Sequence, residues 1–151
     1  AAVALEPGLA GLALADVATG GLWCQEWRGA DAHARLLDEL ARTQPAELLL
    51  SADLPRDLRA QLGDASGVTR LEGERALRHR ALCEELGIIN CYHVGRLSPL
   101  PGWWFDDEPC GEALRAQFVS GDLRPFGLAD QRAARCAVGV LIRYLQWNRF
   151  P

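Results

Sequence analysis

Apolar residues in the first part of the chain change their spacing from strand-like to helix-like and back. The short apolar run 1–5 predicts a strand, and 11–20 predicts a second strand that closes in a Thr-Gly-Gly turn. The segment 21–27 follows this turn directly and is predicted to be the hairpin partner of the second strand. The chain is therefore expected to begin with an antiparallel meander.

A helix is predicted next, because apolar residues recur there at helical spacing. Asp31 stands where an N-cap is expected. The predicted inward face of the helix consists of Leu36, Leu37, Leu40 and Ala41. Pro45 then stops the helix, and the largely apolar segment 46–51 is typical of a buried parallel strand.

The pattern weakens over residues 55–99, which are polar and broken by proline and glycine. Within them, 74–86 has helical spacing that stops at Gly87, and 88–94 has the composition of a strand. Pro99 and the proline two residues later predict a loop.

Regular patterns return after this loop. The aromatic segment 103–105 is predicted to be a strand, in which alternation turns one tryptophan inward and the other outward. Asp106 or Asp107 can cap a helix that has Pro109 in its first turn. A final helix over 129–147 is expected to present these residues inward: Ala133, Ala137, Val138, Leu141, Ile142 and Leu145.

Strands that come first as a meander and later alternate with helices predict an α/β fold with a mixed sheet covered by helices. A length of 151 residues suits a single domain, and no apolar run is long enough to span a membrane. The five cysteines form no Cys-x-x-Cys pair, which favours reduced thiols in a cytoplasmic protein. The formal charge is −4, and all 16 basic residues are arginines scattered among acids, which argues against a nucleic-acid-binding face.

Several segments carry a resemblance to a known family. These are Arg42-Thr-Gln-Pro-Ala-Glu-Leu-Leu49, Trp103-Trp-Phe-Asp-Asp107, Leu114-Arg-Ala-Gln-Phe118, Asp122-Leu-Arg-Pro-Phe-Gly127 and the small-residue helix 133–145. In this order they resemble the connector domain, the second domain of the MutS family of DNA mismatch-repair proteins. The resemblance covers residues 1–54 and 100–146, whereas 55–99 departs from the family pattern as a divergent or inserted segment.

This resemblance implies an RNase H-like fold and a single connector domain over 1–151, cut from a longer bacterial chain. It also implies a non-catalytic role, which is to couple the mismatch-binding domain to the core and ATPase domains and to dock the partner MutL. ATP and Mg²⁺ would bind elsewhere in the parent protein, and mismatched DNA would be reached only through that protein. The parent would be cytoplasmic and associated with the nucleoid, with no membrane partner.

Two alternative functions are a metal-dependent nuclease of the RNase H-like superfamily and a stand-alone interaction domain. A nuclease would need several converging carboxylates, for which Asp16 is the first candidate. The others are Asp53, Asp106, Asp107 and Glu112. We expect Asp16 to be a strand-end residue and the later acids to be explained by helix capping.

A zinc site is the other metal hypothesis. His79 and Cys83 lie four residues apart on a predicted helix, and Cys91 and His93 lie two apart on a predicted strand. Each pair can face one side, so four ligands could meet around zinc. The seven-residue gap between the pairs is not a zinc-finger spacing, and buried cysteines with exposed histidines are the favoured interpretation.

The partner surface is predicted on the helix that follows residue 105. Leu114 and Phe118 are four residues apart and should form its buried stripe, which turns Glu112 and Arg115 toward solvent. The resemblance places MutL docking in this region. Trp147, at the end of the last helix, is predicted to lie on a surface that the rest of the parent protein covers.

Overall fold

The computed structural model describes residues 1–68 and 96–148. Its strands are β1 (Ala2–Glu6), β2 (Leu9–Asp16), β3 (Gly21–Arg28), β4 (Glu47–Ser51) and β5 (Arg96–Leu100). Its helices are α1 (Ala32–Thr43), α2 (Arg56–Ala65), α3 (Asp107–Phe118) and α4 (Arg132–Trp147), with short 3-10 helices at Gly102–Phe105 and Arg124–Phe126.

The five strands form one mixed sheet in the order β3-β2-β1-β4-β5. The meander β1-β2-β3 is antiparallel, whereas β4 pairs in parallel with both β1 and β5. The predicted α/β class, the hairpin and the parallel strand after Pro45 are thus confirmed, and the arrangement is consistent with an RNase H-like fold.

Each face of the sheet has its own core, because successive side chains of a strand point to opposite faces. On one face, valine and leucine side chains of the central strands pack against Leu36 and Leu40 of α1 and Leu62 of α2. On the other face, β1 and β2 present alanines to α4, and α3 packs outside them. We call these the α1 face and the α4 face.

Helix α1 forms where the apolar spacing predicts it, but two details of the prediction were wrong. The side chain of Asp31 makes no capping hydrogen bond and instead pairs with Arg35, at 2.7 Å between Nε and Oδ2. Ala41 is exposed, and Ala32 joins Leu36 and Leu40 in the buried stripe instead. The stripe therefore begins one turn earlier than expected.

Three elements between β4 and α3 differ from the prediction. Helix α2 occupies part of the stretch expected to be broken, because Leu58, Leu62 and Ala65 recur at helical spacing and pack on the α1 face. Pro99 lies within β5, paired with Leu50, rather than in a loop. Proline is tolerated there because β5 is an edge strand within the described sheet and needs ladder hydrogen bonds on one side only.

The aromatic segment is a 3-10 helix, so its assignment to a strand was wrong. The tryptophans nevertheless divide as expected, since Trp103 is exposed and Trp104 packs against the core of the α4 face. The predicted helix 74–86 and strand 88–94 lie outside the described residues.

Helices α3 and α4 confirm the C-terminal pattern, apart from their N-termini. Neither Asp106 nor Asp107 caps α3 with its side chain, because Asp107 is held by Arg135 of α4 instead. Helix α4 begins at Arg132 rather than at residue 129. Of its predicted inward residues, the first five are buried and Leu145 is partly buried.

Candidate functional site

The N-terminus of α4 is fixed to the sheet by a glycine and a carboxylate. A Cβ on Gly11 would lie 2.2 Å from the backbone of Ala133, so only glycine lets the helix start this close to β2. The carboxylate of Glu26, on β3, accepts hydrogen bonds from the amides of Ala133 and Ala134 at 2.8 and 3.2 Å. Glu26 thereby satisfies two amide groups that the first turn of a helix leaves without partners.

A polar cavity of about 520 Å³ opens beside this helix start. Glu26, Arg28, Arg35 and Asp130 are among its lining residues. Arg28 bonds the Glu26 carboxylate and the carbonyl of Asp130, so the charged groups of the cavity already pair with one another. Because Glu26 also occupies the helix N-terminus, the cavity carries no open anion site.

Helix α3 carries the predicted partner surface. Leu114 is fully buried, and Phe118 is partly buried and stacks on Phe126 with ring centroids 4.4 Å apart. Glu112 and Arg115 are exposed, as the spacing predicted. Among the described residues, neither takes part in an ion pair, so both charges face solvent on a helix whose inner side is anchored.

An ion pair and a close backbone approach are among the contacts that hold α3 against α4. The Arg135 guanidinium meets the Asp107 carboxylate through two nitrogens, with N–O distances of 2.8 and 2.9 Å, while also donating to the carbonyls of Leu128 and Ala129. A Cβ on Gly139 would lie 2.6 Å from Cys110, so the helix backbones approach closely there. The exposed residues of α3 therefore stand on a rigidly supported element.

An aromatic cluster surrounds Arg143 near the end of α4. Its guanidinium carbon lies 4.6 Å from the centre of the Trp104 ring and 5.4 Å from that of Trp103. One guanidinium nitrogen donates to the Trp104 carbonyl at 3.0 Å. Trp147 packs edge-on against Trp104 and also contacts Tyr144.

Two rings of this cluster remain open to solvent, since Trp103 is 58% exposed and Trp147 is 71% exposed. The side chains of Trp103, Trp104, Arg143, Tyr144 and Trp147 together form what we call the aromatic–arginine surface. The Tyr144 side chain is fixed to the sheet, because its hydroxyl donates to the carboxylate of Glu47 on β4 at 2.6 Å. The sequence pointed to Trp103 and Trp147, but no sequence signal identified Arg143, which links them.

Three of the carboxylates considered for a nuclease, Asp16, Asp53 and Asp107, make different structural contacts. Asp16 is exposed at the end of β2, and its Oδ1 accepts hydrogen bonds from the amides of Ala18 and Thr19. The Thr19 side chain and these two amides lower the pKa of Asp16. Asp107 is paired with Arg135, and Asp53 packs beside Gly102.

No metal-binding group of three or more His, Cys, Asp or Glu residues occurs among residues 1–68 and 96–148. All four residues of the zinc hypothesis, at 79, 83, 91 and 93, lie outside the described residues. In the same described part of the chain, no helix has the length and apolar character needed to cross a membrane.

This chain matches a known protein family and several known proteins. The family model "MutS domain II" matches residues 1–148. DNA mismatch repair protein MutS of two Chloroflexus aurantiacus strains is 32% identical over 155 residues, covering 97% of this chain and 16% of each relative. The same protein of Roseiflexus castenholzii is 32% identical over 154 residues, covering 95% of this chain and 14% of that relative.

The chain thus spans about a sixth of the length of these relatives. Its family match, by contrast, extends over nearly every residue, including the segment that departs from the expected pattern. This chain belongs to the MutS domain II family.

Proposed function

We propose that the chain is a connector module of a MutS-type mismatch-repair protein, and that α3 is its docking surface for MutL. The observation that carries this proposal is the pair of exposed charges Glu112 and Arg115, which form no ion pair with another described residue, on a helix whose other side is anchored. A preorganised helix loses little conformational freedom when a partner binds it. Its mixed charges suit a transient, partly electrostatic contact.

The test is a charge reversal in the full-length parent protein. Glu112→Arg combined with Arg115→Glu should weaken MutL binding about tenfold in a titration, because two rim charges then oppose the partner. The matched control is Glu39→Arg with Arg42→Glu on α1, which has the same residue types at the same spacing on the opposite face of the sheet. Equal affinity for the α3 variant and the wild type, or equal weakening by the α1 control, would contradict the docking site.

The coupling role is proposed for the aromatic–arginine surface. Large exposed rings around an arginine have the composition of interface hot spots, and Trp147 lies in the last turn of α4. We expect another domain of the parent protein to cover these rings. Trp103→Ala combined with Trp147→Ala should reduce the response of the parent's ATP hydrolysis to mismatched DNA, whereas Trp23→Ala, an exposed tryptophan on β3, should leave that response unchanged.

The segment itself is proposed to be non-catalytic, with ATP and Mg²⁺ bound by another part of the parent protein. Support comes from Asp16, whose carboxylate is engaged by its own turn, and from Asp107, which is neutralised by Arg135. A purified domain that cleaves DNA with Mg²⁺, and loses this activity on Asp16→Asn, would contradict the proposal.

A further inference from the structure

Cys110 and Cys136 lie opposite each other between α3 and α4. Cys110 is fully buried, and Cys136 retains 4% of its exposure. Cys136 is three residues before Gly139 and therefore on the same side of α4. Because the α3 backbone at Cys110 approaches Gly139 closely, the two cysteines lie on facing sides of the helices at this point.

The two thiols are neighbours, because each is the largest cause of the shift in the pKa of the other. Each also has a polar partner on α3 or just before it, since Cys110 Sγ donates to the Trp104 carbonyl at 3.2 Å and Cys136 Sγ lies 3.9 Å from Asp107 Oδ1. The Cys136 thiol and the nearby Arg143 lower the pKa of Cys110. The Cys110 thiol, together with burial, raises the pKa of Cys136.

This asymmetry separates two chemical roles within one pair. The thiol with the lowered pKa is the better source of thiolate, which is the form that reacts with oxidants. Two adjacent thiols can be oxidised to a disulfide through a sulfenic acid.

We propose that Cys110 and Cys136 form a disulfide when the protein meets a peroxide, covalently joining α3 to α4. In the first step the Cys110 thiolate attacks one peroxide oxygen, the O–O bond breaks, and the leaving hydroxide takes a proton, giving water and a sulfenic acid. In the second step the Cys136 sulfur attacks the sulfenic sulfur, the S–O bond breaks, and a second water leaves with the Cys136 proton. Two thiols and one hydrogen peroxide thus become one disulfide and two waters.

The bond would close a chain segment that contains Glu112 and Arg115, and would fix α3 in the position seen here. An effect on MutL docking rests on the proposed function, whereas formation of the disulfide does not. The experiment therefore detects the disulfide itself and does not depend on partner binding.

The experiment exposes the full-length parent protein to hydrogen peroxide, blocks free thiols under denaturing conditions and maps tryptic peptides by mass spectrometry. Cleavage after arginine releases Cys110 in the peptide 97–115 and Cys136 in the peptide 136–143, apart from the other three cysteines. We expect a linked peptide whose mass is the sum of these two less two hydrogen atoms, and which separates on reduction. Cys24, partly buried on β3 with its pKa raised by burial, serves as the internal control and should stay unpaired.

Two variants keep the test decisive. Cys136→Ala should abolish the linked peptide, whereas Cys24→Ala should leave the linked peptide unchanged. Free, alkylated Cys110 and Cys136 in the peroxide-treated wild type would overturn the proposal. Linkage of either residue mainly to another cysteine would overturn it as well.

Discussion

The two faces of the sheet are built from different residues, although the same strands supply both. Toward α1, β1 and β2 present larger side chains, among them Val3, Leu12 and Leu14, and the space between sheet and helix is filled with leucine. Toward α4 the same strands present Ala2, Gly11 and other small residues. The α1 face holds its helix by filling volume, whereas the α4 face holds its helix by close backbone approach.

Polar contacts follow the same division. Glu26, Glu47 and the Asp107–Arg135 pair all act on the α4 face and tie the sheet, α3 and α4 together. In the described part of the chain, the α1 face is a leucine core, and the ion pairs Arg35–Asp31 and Arg42–Glu39 lie on the outer side of α1 or at its start. Small residues allow helices to approach, and polar links then fix their position.

Adding a methyl group should break the α4 face. Gly11→Ala places a Cβ 2.2 Å from the Ala133 backbone, which has no flexible end that could move away. We expect a loss of at least about 4 kcal/mol in the free energy of unfolding. Denaturant unfolding measures it. The same substitution at Gly121, where no atom lies within 4 Å, should change the stability by less than about 0.5 kcal/mol.

Removing methyl groups should break the α1 face. Leu36→Ala empties volume around a fully buried side chain, with an expected loss of about 3 kcal/mol in the free energy of unfolding. Leu37→Ala, at a partly buried position on the same helix, should lose less than half of that. If both substitutions cost the same, volume filling is not what holds α1.

The smallest expected changes in the free energy of unfolding are those at the N-termini of α1 and α4. Glu26→Gln removes the charge that two α4 amides share, and should cost about 1 kcal/mol because the amide oxygen still accepts their bonds. Asp31→Asn at the start of α1 should cost less than about 0.5 kcal/mol, since Asp31 makes no side-chain cap. Equal losses in unfolding experiments would show that the two helix starts are held in the same way.

The sequence predicts the elements of both faces wherever the local spacing of apolar residues determines the structure. The meander, α1 and the strand after Pro45 follow from apolar periodicity, and Leu114 and Phe118 placed the exposed side of α3 correctly. The close approach of α4 at Gly11, the first residue of the predicted strand 11–20, was not predicted.

What the sequence did not reveal depends on tertiary contacts. Asp107 looks like a helix cap, yet Arg135 takes its side chain from another helix. Pro99 looks like a loop residue because nothing local indicates that its strand is an edge. Cys110 and Cys136 are far apart in sequence and meet only because α3 and α4 pack together. The aromatic run 103–105 lacks the length to distinguish a strand from a 3-10 helix.

Site-specific photocrosslinking in the full-length parent protein tests directly whether the partner meets the α3 side of the domain. A photoreactive phenylalanine analogue replaces Glu112 or Arg115 on α3, and Glu39 or Arg42 on α1, one position at a time. Docking of MutL on α3 predicts crosslinks to MutL from positions 112 and 115 and none above background from positions 39 and 42. Crosslinks from the α1 positions, with none from α3, would contradict it.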